Sequence, residues 1–130
     1  MNILKTGLAF CFLAFASQSA SAELLGAEWI TEAEMKHQSS FARRHNLLLV
    51  GLNCKFREGA ENPGRDDVLF RADFEQVFPA QAWGWTFDAN AELPGPERRA
   101  RSAGFEVAAE DYFEISGVTW VRCKVWHRPQ

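Results

Sequence analysis

Residues 118–127 read V-T-W-V-R-C-K-V-W-H, and the alternation in this stretch decides how the fold of the 130-residue chain is interpreted. Successive side chains of a strand point to opposite faces. One face carries mainly core-type residues, namely Thr119, Val121, Cys123 and Val125. The other interleaves tryptophans with cations, in the order Val118, Trp120, Arg122, Lys124 and Trp126. We predict a strand that buries the first face, and the sequence leaves open whether the second is covered.

Residues 1–22 have the pattern of a secretory signal peptide. Lys5 is their only charged residue, an apolar run follows at 8–16, and small residues end the segment at Ala22. A cationic start, a hydrophobic middle and an A-x-A site are typical of signal peptides. The apolar run is shorter than a membrane-spanning helix. We expect cleavage before Glu23, a secreted or periplasmic protein without a membrane span, and one globular domain over residues 23–130.

The charge balance limits the class of partner. When Lys5 is removed from the 14 basic residues, 17 acidic side chains face 13 basic ones, and the formal charge is −4. A general nucleic-acid binder would be basic. We therefore expect no nucleic-acid partner.

Two cysteines remain after removal of Cys11, and they predict a disulfide. Cys54 and Cys123 permit one pairing, and disulfides persist in oxidising compartments. Closing a loop of about 70 residues would stabilise the fold by roughly 4 kcal/mol on the chain-entropy view. Two buried free thiols are the alternative that the sequence leaves open.

The first half of the chain predicts a helix followed by a hairpin. Thr31 and Glu34 are spaced as a capping box at the helix start, and Asn46 suits a left-handed stop. Two alternating segments predict strands, with the 57–67 loop between them. This loop holds few apolar residues and many charges, so we expect it to be mobile.

The second half predicts the same order of elements. Pro96 opens a short helix that Gly104 stops. A strand follows at 105–115, in which Asp111 interrupts the apolar face and predicts a bulge. Residues 77–93 predict no clear element.

Together these elements predict an α+β fold of two helix-hairpin halves in pseudo-repeat. Residues 42–47 and 100–105 match in type where each helix ends. We expect a mostly antiparallel sheet of about four strands with the helices on one face. The sequence does not indicate the strand order.

This pattern resembles the small secreted bacterial tandem-repeat modules that accompany serine-type polyglycine hydrolases. In those repeats a short helix and a glycine lead into a hairpin that ends near a tryptophan. The resemblance covers residues 31–74 and 88–126, with Asn46 standing where the first repeat would have its glycine. It implies an accessory module with no catalytic residue, because the catalytic serine of such proteins lies in a separate domain.

The candidate catalytic and metal-binding patterns are incomplete. A disulfide would remove the thiol that a cysteine–histidine pair needs, and no G-x-S-x-G segment indicates a serine nucleophile. Asp88, Asn90 and Glu92 are spaced like the start of a calcium loop, but Leu93 stands where that loop needs glycine. We assign no catalytic residue, no cofactor and no metal site.

Five tryptophans remain after the signal peptide, and they support two interpretations. They are Trp29, Trp83, Trp85, Trp120 and Trp126. In one, tryptophans fill the core and Arg122 and Lys124 lie against the rings. In the other, Trp120, Arg122, Lys124 and Trp126 form a binding platform. The platform requires that the cations reach solvent, whereas pairing with acids such as Asp73 and Glu75 would make them structural.

The function that these features predict is a secreted or periplasmic, non-catalytic binding or accessory module. Its expected partner is an envelope protein or a glycan, with an anionic or sugar-like ligand. The alternative is a small periplasmic inhibitor or immunity-type protein that acts through the 57–67 loop. The two differ in whether the sheet or the loop meets the partner.

The signal-peptide interpretation predicts that the mature protein begins near Glu23. Intact mass spectrometry of protein from the periplasm or the culture medium should give a mass that lacks residues 1–22. A full-length cytosolic species as the main form would contradict both the location and the oxidising environment.

Overall fold

The chain forms two helices and five strands in the residues that a computed structural model describes, 28–91 and 95–129. The expected signal peptide and its cleavage site lie outside these residues. The first part contains helix α1 (Glu32–Arg44), strands β1 (Leu47–Phe56) and β2 (Val68–Gln76), and a 3-10 turn (Arg65–Asp67). The second contains β3 (Trp83–Ala89), α2 (Gly95–Ser102), β4 (Glu106–Ser116) and β5 (Thr119–His127). The fold class is α+β, as predicted.

Helix α1 begins and ends where its local sequence predicts. The Thr31 hydroxyl accepts the Glu34 N–H at 3.2 Å, and the Glu34 carboxylate accepts the Thr31 N–H at 3.0 Å. The hydrogen bond from the Thr31 backbone, and then the one from its hydroxyl, lower the pKa of Glu34. Asn46 follows the helix with φ 56°, the left-handed stop expected of it. Neither helix of the described residues has the length and apolar character needed to cross a membrane.

The strands form two antiparallel sheets in place of the single sheet predicted. β1 pairs with β2 in the first sheet, and Ile30 adds an isolated bridge to Phe70 of β2. In the second sheet β5 is the central strand, between β3 and β4. The described residues therefore hold five strands, and the expected count of about four was too low because it omitted β3.

Strand β3 lies within the 77–93 stretch for which the sequence predicts no clear element. Trp83, Trp85, Phe87 and Ala89 alternate along it with smaller or polar residues, which is the two-residue period of a strand. The turn-forming residues Pro79 and Asn90 flank this seven-residue segment and obscure its pattern. This two-residue alternation was the signal in the sequence that could have identified β3.

Aromatic contacts join the two sheets. Phe70 of β2 packs edge-on against Phe87 at 4.8 Å and Trp85 at 5.2 Å, measured between ring centroids. Phe56 of β1 packs against Phe113 of β4 at 6.2 Å. Helix α1 packs on β1 and β2, and α2 packs on β3. Each helix thus packs on its own sheet. The prediction that both helices lie on one face of a single sheet is therefore wrong.

A disulfide between Cys54 of β1 and Cys123 of β5 links the sheets covalently, as predicted. Both cysteines are buried, and their Cα atoms are 6.2 Å apart. Beside the bond, the Asp111 carboxylate accepts the Cys54 N–H at 3.0 Å and the Asn53 side-chain amide at 3.3 Å. The prediction of a bulge at Asp111 is wrong, because the register shifts of β4 lie nearer its two ends. The Asp111 carboxylate instead accepts hydrogen bonds from polar groups of β1.

The 57–67 loop folds back onto the protein. Asp67 accepts the Gly64 N–H at 3.0 Å, and this bond is the main reason why the pKa of Asp67 is lowered. The Arg65 guanidinium lies 3.9 Å from the centroid of the Phe87 ring. These anchors are polar, cationic and contributed partly by distant residues, so the apolar content of the loop did not reveal them.

Replacing Cys123 with serine should lower the free energy of unfolding by about 2–5 kcal/mol, because the unfolded chain regains the freedom that the bridge removes. Urea denaturation followed by tryptophan fluorescence measures the difference, with Cys54→Ser as the matched variant. Under a reducing agent the wild-type and variant proteins should converge. Two thiols that alkylate in the native, unreduced protein would show that the bridge is absent.

Candidate functional site

The residues assigned to a binding platform lie on one face of the second sheet. Cys123 points toward β1, so its neighbours Arg122 and Lys124, and with them Trp120 and Trp126, point away from the first sheet. Because β5 is central, side chains of both neighbouring strands flank them. The pairing places Thr86 and Asp88 of β3 and Glu110, Tyr112 and Glu114 of β4 beside Trp120, Arg122 and Lys124. We call this surface the outer face.

Helix α2 covers one end of the outer face. Lys124 Nζ lies 2.7 Å from the Glu97 carboxylate, and Lys124 is only 8% exposed. Trp126 is 1% exposed, and its Nε1 donates to the Thr86 hydroxyl at 2.8 Å. Arg101 of α2 lies 5.1 Å from the Trp126 ring centroid. Lys124 and Trp126 therefore stabilise the packing of α2, and their predicted place on an exposed platform is wrong.

The other end of the outer face reaches solvent. The Tyr112 and Trp120 rings lie 6.1 Å apart with an angle of 32° between their planes. The Arg122 guanidinium lies 5.4 Å from the Tyr112 centroid and 5.7 Å from the Trp120 centroid. Tyr112 is 45% exposed. We call Tyr112, Trp120 and Arg122, with the adjacent Glu110 and Glu114, the open patch.

Acidic groups outnumber cations in and around the open patch. Arg122 Nε lies 3.5 Å from the Glu110 carboxylate, in a pair that is half exposed on both sides. In the strand register Asp88 is opposite Arg122, and Glu114 is opposite Trp120. Both cations of the predicted platform, Arg122 and Lys124, are therefore paired with acids. The acids expected to pair with the cations were misassigned, since Glu97 and Glu110 take that role and not the acids of β2.

Tyr112 is the aromatic residue of the open patch that the sequence analysis missed. The pKa of Tyr112 is raised, and desolvation is the largest cause. The negative charge of Glu114 and the hydrogen bond that the phenol donates to Glu114 raise it further, whereas the charge of Arg122 lowers it. An ordinary tyrosine is already protonated at neutral pH, and this rise does not change that state. A register shift between Glu114 and Ser116 places Tyr112 opposite Arg122, whereas counting back from the Ser116–Thr119 pair without a shift would place it opposite Cys123. The turn alone therefore gave no signal for this pairing.

Asn90 holds the edge of the open patch in place. Its side-chain oxygen accepts the Trp120 N–H at 2.9 Å, and its amide donates to the Pro63 carbonyl at 3.0 Å. Asp88 belongs to strand β3, while Glu92 lies outside the described residues. Asn90 thus ties the 57–67 loop to the first residues of β5.

One side-chain group among the described residues has the composition of a metal site. The possible ligand atoms of Cys54, Asp111 and Cys123 lie within 4.8 Å of one another. Because the two sulfurs are bonded to each other, neither is available as a thiolate ligand. In the disulfide form this group is therefore structural.

Comparison with known proteins gives no relative from which a role could be transferred. No protein-family model matches the chain, and neither curated proteins nor solved structures provide a significant match. A function can accordingly be inferred only from the geometry of this protein's own surfaces.

The division of the outer face predicts unequal effects of its two cations. Lys124→Met should lower the free energy of unfolding by about 1.5–3 kcal/mol, because Glu97 loses a charged partner in a largely buried contact. Arg122→Met should cost about 1 kcal/mol or less, because its ion pair is half exposed. Urea denaturation of both variants measures the contrast. Equal losses would contradict the division.

Proposed function

We propose that this protein is a secreted or periplasmic, non-catalytic binding module whose open patch binds a neutral glycan. The disulfide is compatible with an oxidising compartment. The ligand expected from the sequence was anionic or sugar-like, and we retain only the sugar-like one. Of the four residues expected in the platform, Trp120 and Arg122 remain, and Tyr112 joins them.

The observation that carries the proposal is an exposed aromatic pair surrounded by polar groups. A sugar ring presents C–H bonds on its faces, and these are attracted to the electron-rich faces of aromatic rings. Tyr112 and Trp120 supply such faces 6.1 Å apart. Arg122 and Glu110 lie beside them, where a guanidinium can donate to hydroxyl groups and a carboxylate can accept from them.

The charge around the rings favours a neutral ligand over an anionic one. Glu110 and Glu114 belong to the open patch, and Asp88 lies opposite Arg122 on β3. A polyanion would meet these carboxylates at short range and would be repelled. A neutral hydroxyl-rich ligand can use the same oxygens as hydrogen-bond acceptors.

The order of strands supports a pseudo-repeat, which we propose as the basis of the fold. In the second half β5 lies between β3 and β4. In the first half β2 lies between β1 and the bridge at Ile30, so Ile30 stands where β3 stands in the second half. This arrangement is consistent with the resemblance to accessory tandem-repeat modules and with a binding role.

The loop-based alternative, an inhibitor or immunity-type protein, receives less support. A loop that enters a target cleft should project from the scaffold, whereas the 57–67 loop is held against it by Asn90 and by the stacking of Arg65 on Phe87. The open patch is the surface that needs no rearrangement to meet a ligand.

The proposal is tested by titrating the disulfide-intact protein with neutral oligosaccharides, including N-acetylglucosamine oligomers, and with polygalacturonate as an anionic counterpart. Isothermal calorimetry should show binding of a neutral oligosaccharide. Trp120→Ala and Tyr112→Ala should each weaken it about tenfold, the size of one lost ring contact.

Trp29→Ala is the matched control, because Trp29 also has cations over its ring, Lys55 at 4.3 Å and Arg71 at 4.9 Å, but belongs to the first half of the chain. Its affinity should be unchanged. Preference for polygalacturonate, or equal loss in the control, would overturn the proposal.

A further inference from the structure

A second surface, separate from the open patch, has the opposite charge character. It is a cavity of about 420 Å³ where α1, the 3-10 turn, β3 and α2 meet. Three cations line it, one from each of the two helices and one from the turn, namely Lys36, Arg99 and Arg65. Glu32 is the one acid among the lining residues that the structure describes. We call this cavity the cationic cleft.

The single acid of the cationic cleft is already shared between two cations. Glu32 lies 3.3 Å from Lys36 Nζ and 3.3 Å from Arg65 Nη2. Within the described residues no ion pair includes Arg99. The three cations and one acid among the described lining residues give a net charge of about +2, in a chain whose formal charge is −3. A local excess of this sign attracts an anion.

The helices add to this potential. Glu32 is the first residue of α1 and Pro96 lies in the first turn of α2, so a first-turn residue of each helix lines the cavity. Helix N-termini carry partial positive charge from unpaired backbone N–H groups. In the cationic cleft the side-chain cations come from α1, α2 and the 3-10 turn. The positive potential of the cleft therefore does not depend on one helix end.

Aromatic walls complete the cleft. Trp85 and Phe87 line it, and Arg65 is stacked 3.9 Å over the Phe87 ring. This stacking holds the Arg65 guanidinium at the wall of the cavity. The cleft therefore combines cations for an oxyanion with ring surface for the body to which the oxyanion is attached.

We propose that the cationic cleft binds a small phosphate or sulfate ester, with the oxyanion at Lys36 and Arg99 and the organic body against Trp85. A tetrahedral oxyanion matches cations that converge from separate elements. The cavity volume admits a monosaccharide ester. This inference is independent of glycan binding at the open patch.

The test uses the full disulfide-intact protein and isothermal calorimetry at low and at physiological salt. The probes are inorganic phosphate, inorganic sulfate, glucose 6-phosphate and glucose 6-sulfate. An ester should bind at least tenfold more tightly than its inorganic anion, because the organic body adds contact with the aromatic wall. Whether the phosphate or the sulfate ester is preferred identifies the natural oxyanion.

Variants on two elements separate the cleft from general electrostatic attraction. Arg99→Ala and Lys36→Ala should each weaken ester binding at least tenfold. Arg98→Ala removes the same charge from the neighbouring position of α2, which does not line the cavity, and should change affinity less than twofold. Unchanged melting temperatures for the three variants establish that the comparison concerns binding and not folding.

Three results would overturn the proposal. They are no binding of either ester at about 10 mM, an ester that binds no more tightly than its inorganic anion, and an Arg98→Ala loss equal to that of Arg99→Ala. A negative result for the cationic cleft would not affect the proposal of glycan binding at the open patch, because none of these residues belongs to that patch.

Discussion

The bond between Cys54 and Cys123, with the Asp111 carboxylate beside it, determines which surfaces of the molecule are inside. The bond draws β1 against β5, and Asp111 accepts hydrogen bonds from β1 at the same point. Successive residues of a strand point to opposite sides, so the face of β5 that carries Cys123 becomes core and the other face becomes the outer face. The position of every residue discussed for binding on that strand follows from this constraint.

The outer face shows how a strand with tryptophans and cations can be used in two ways along its length. Where α2 crosses it, Lys124 and Trp126 become packing residues, because Glu97 neutralises the cation and Thr86 satisfies the indole N–H. Where no helix crosses it, Trp120 and Arg122 stay accessible beside Tyr112. Burial of a cation depends on a partner of opposite charge, and α2 provides one only at its own end of the face.

Local signals predicted the parts of the fold that depend on local chemistry. The Thr31–Glu34 capping box and the left-handed Asn46 need only neighbouring residues, and both form as expected. The disulfide was predicted from the cysteine count and the expected compartment, and it forms. The covering of Trp126 by α2 and the anchoring of Arg65 on Phe87 are contacts between distant segments, and alternation along one strand carries no information about them. For the same reason the outer-face residues were correctly grouped by strand period, while their exposure was not.

The place of β5 in the second sheet has a consequence for the time at which the protein can fold. β3 and β4 pair with β5 but not with each other, and β5 follows both along the chain. The second sheet therefore has no stable intermediate made from β3 and β4 alone, and the disulfide must also wait for Cys123. Long-range pairing of this kind delays folding until the last strand is available. The same strand therefore completes the second sheet and supplies its covalent link to the first, and both events follow the synthesis of β3 and β4.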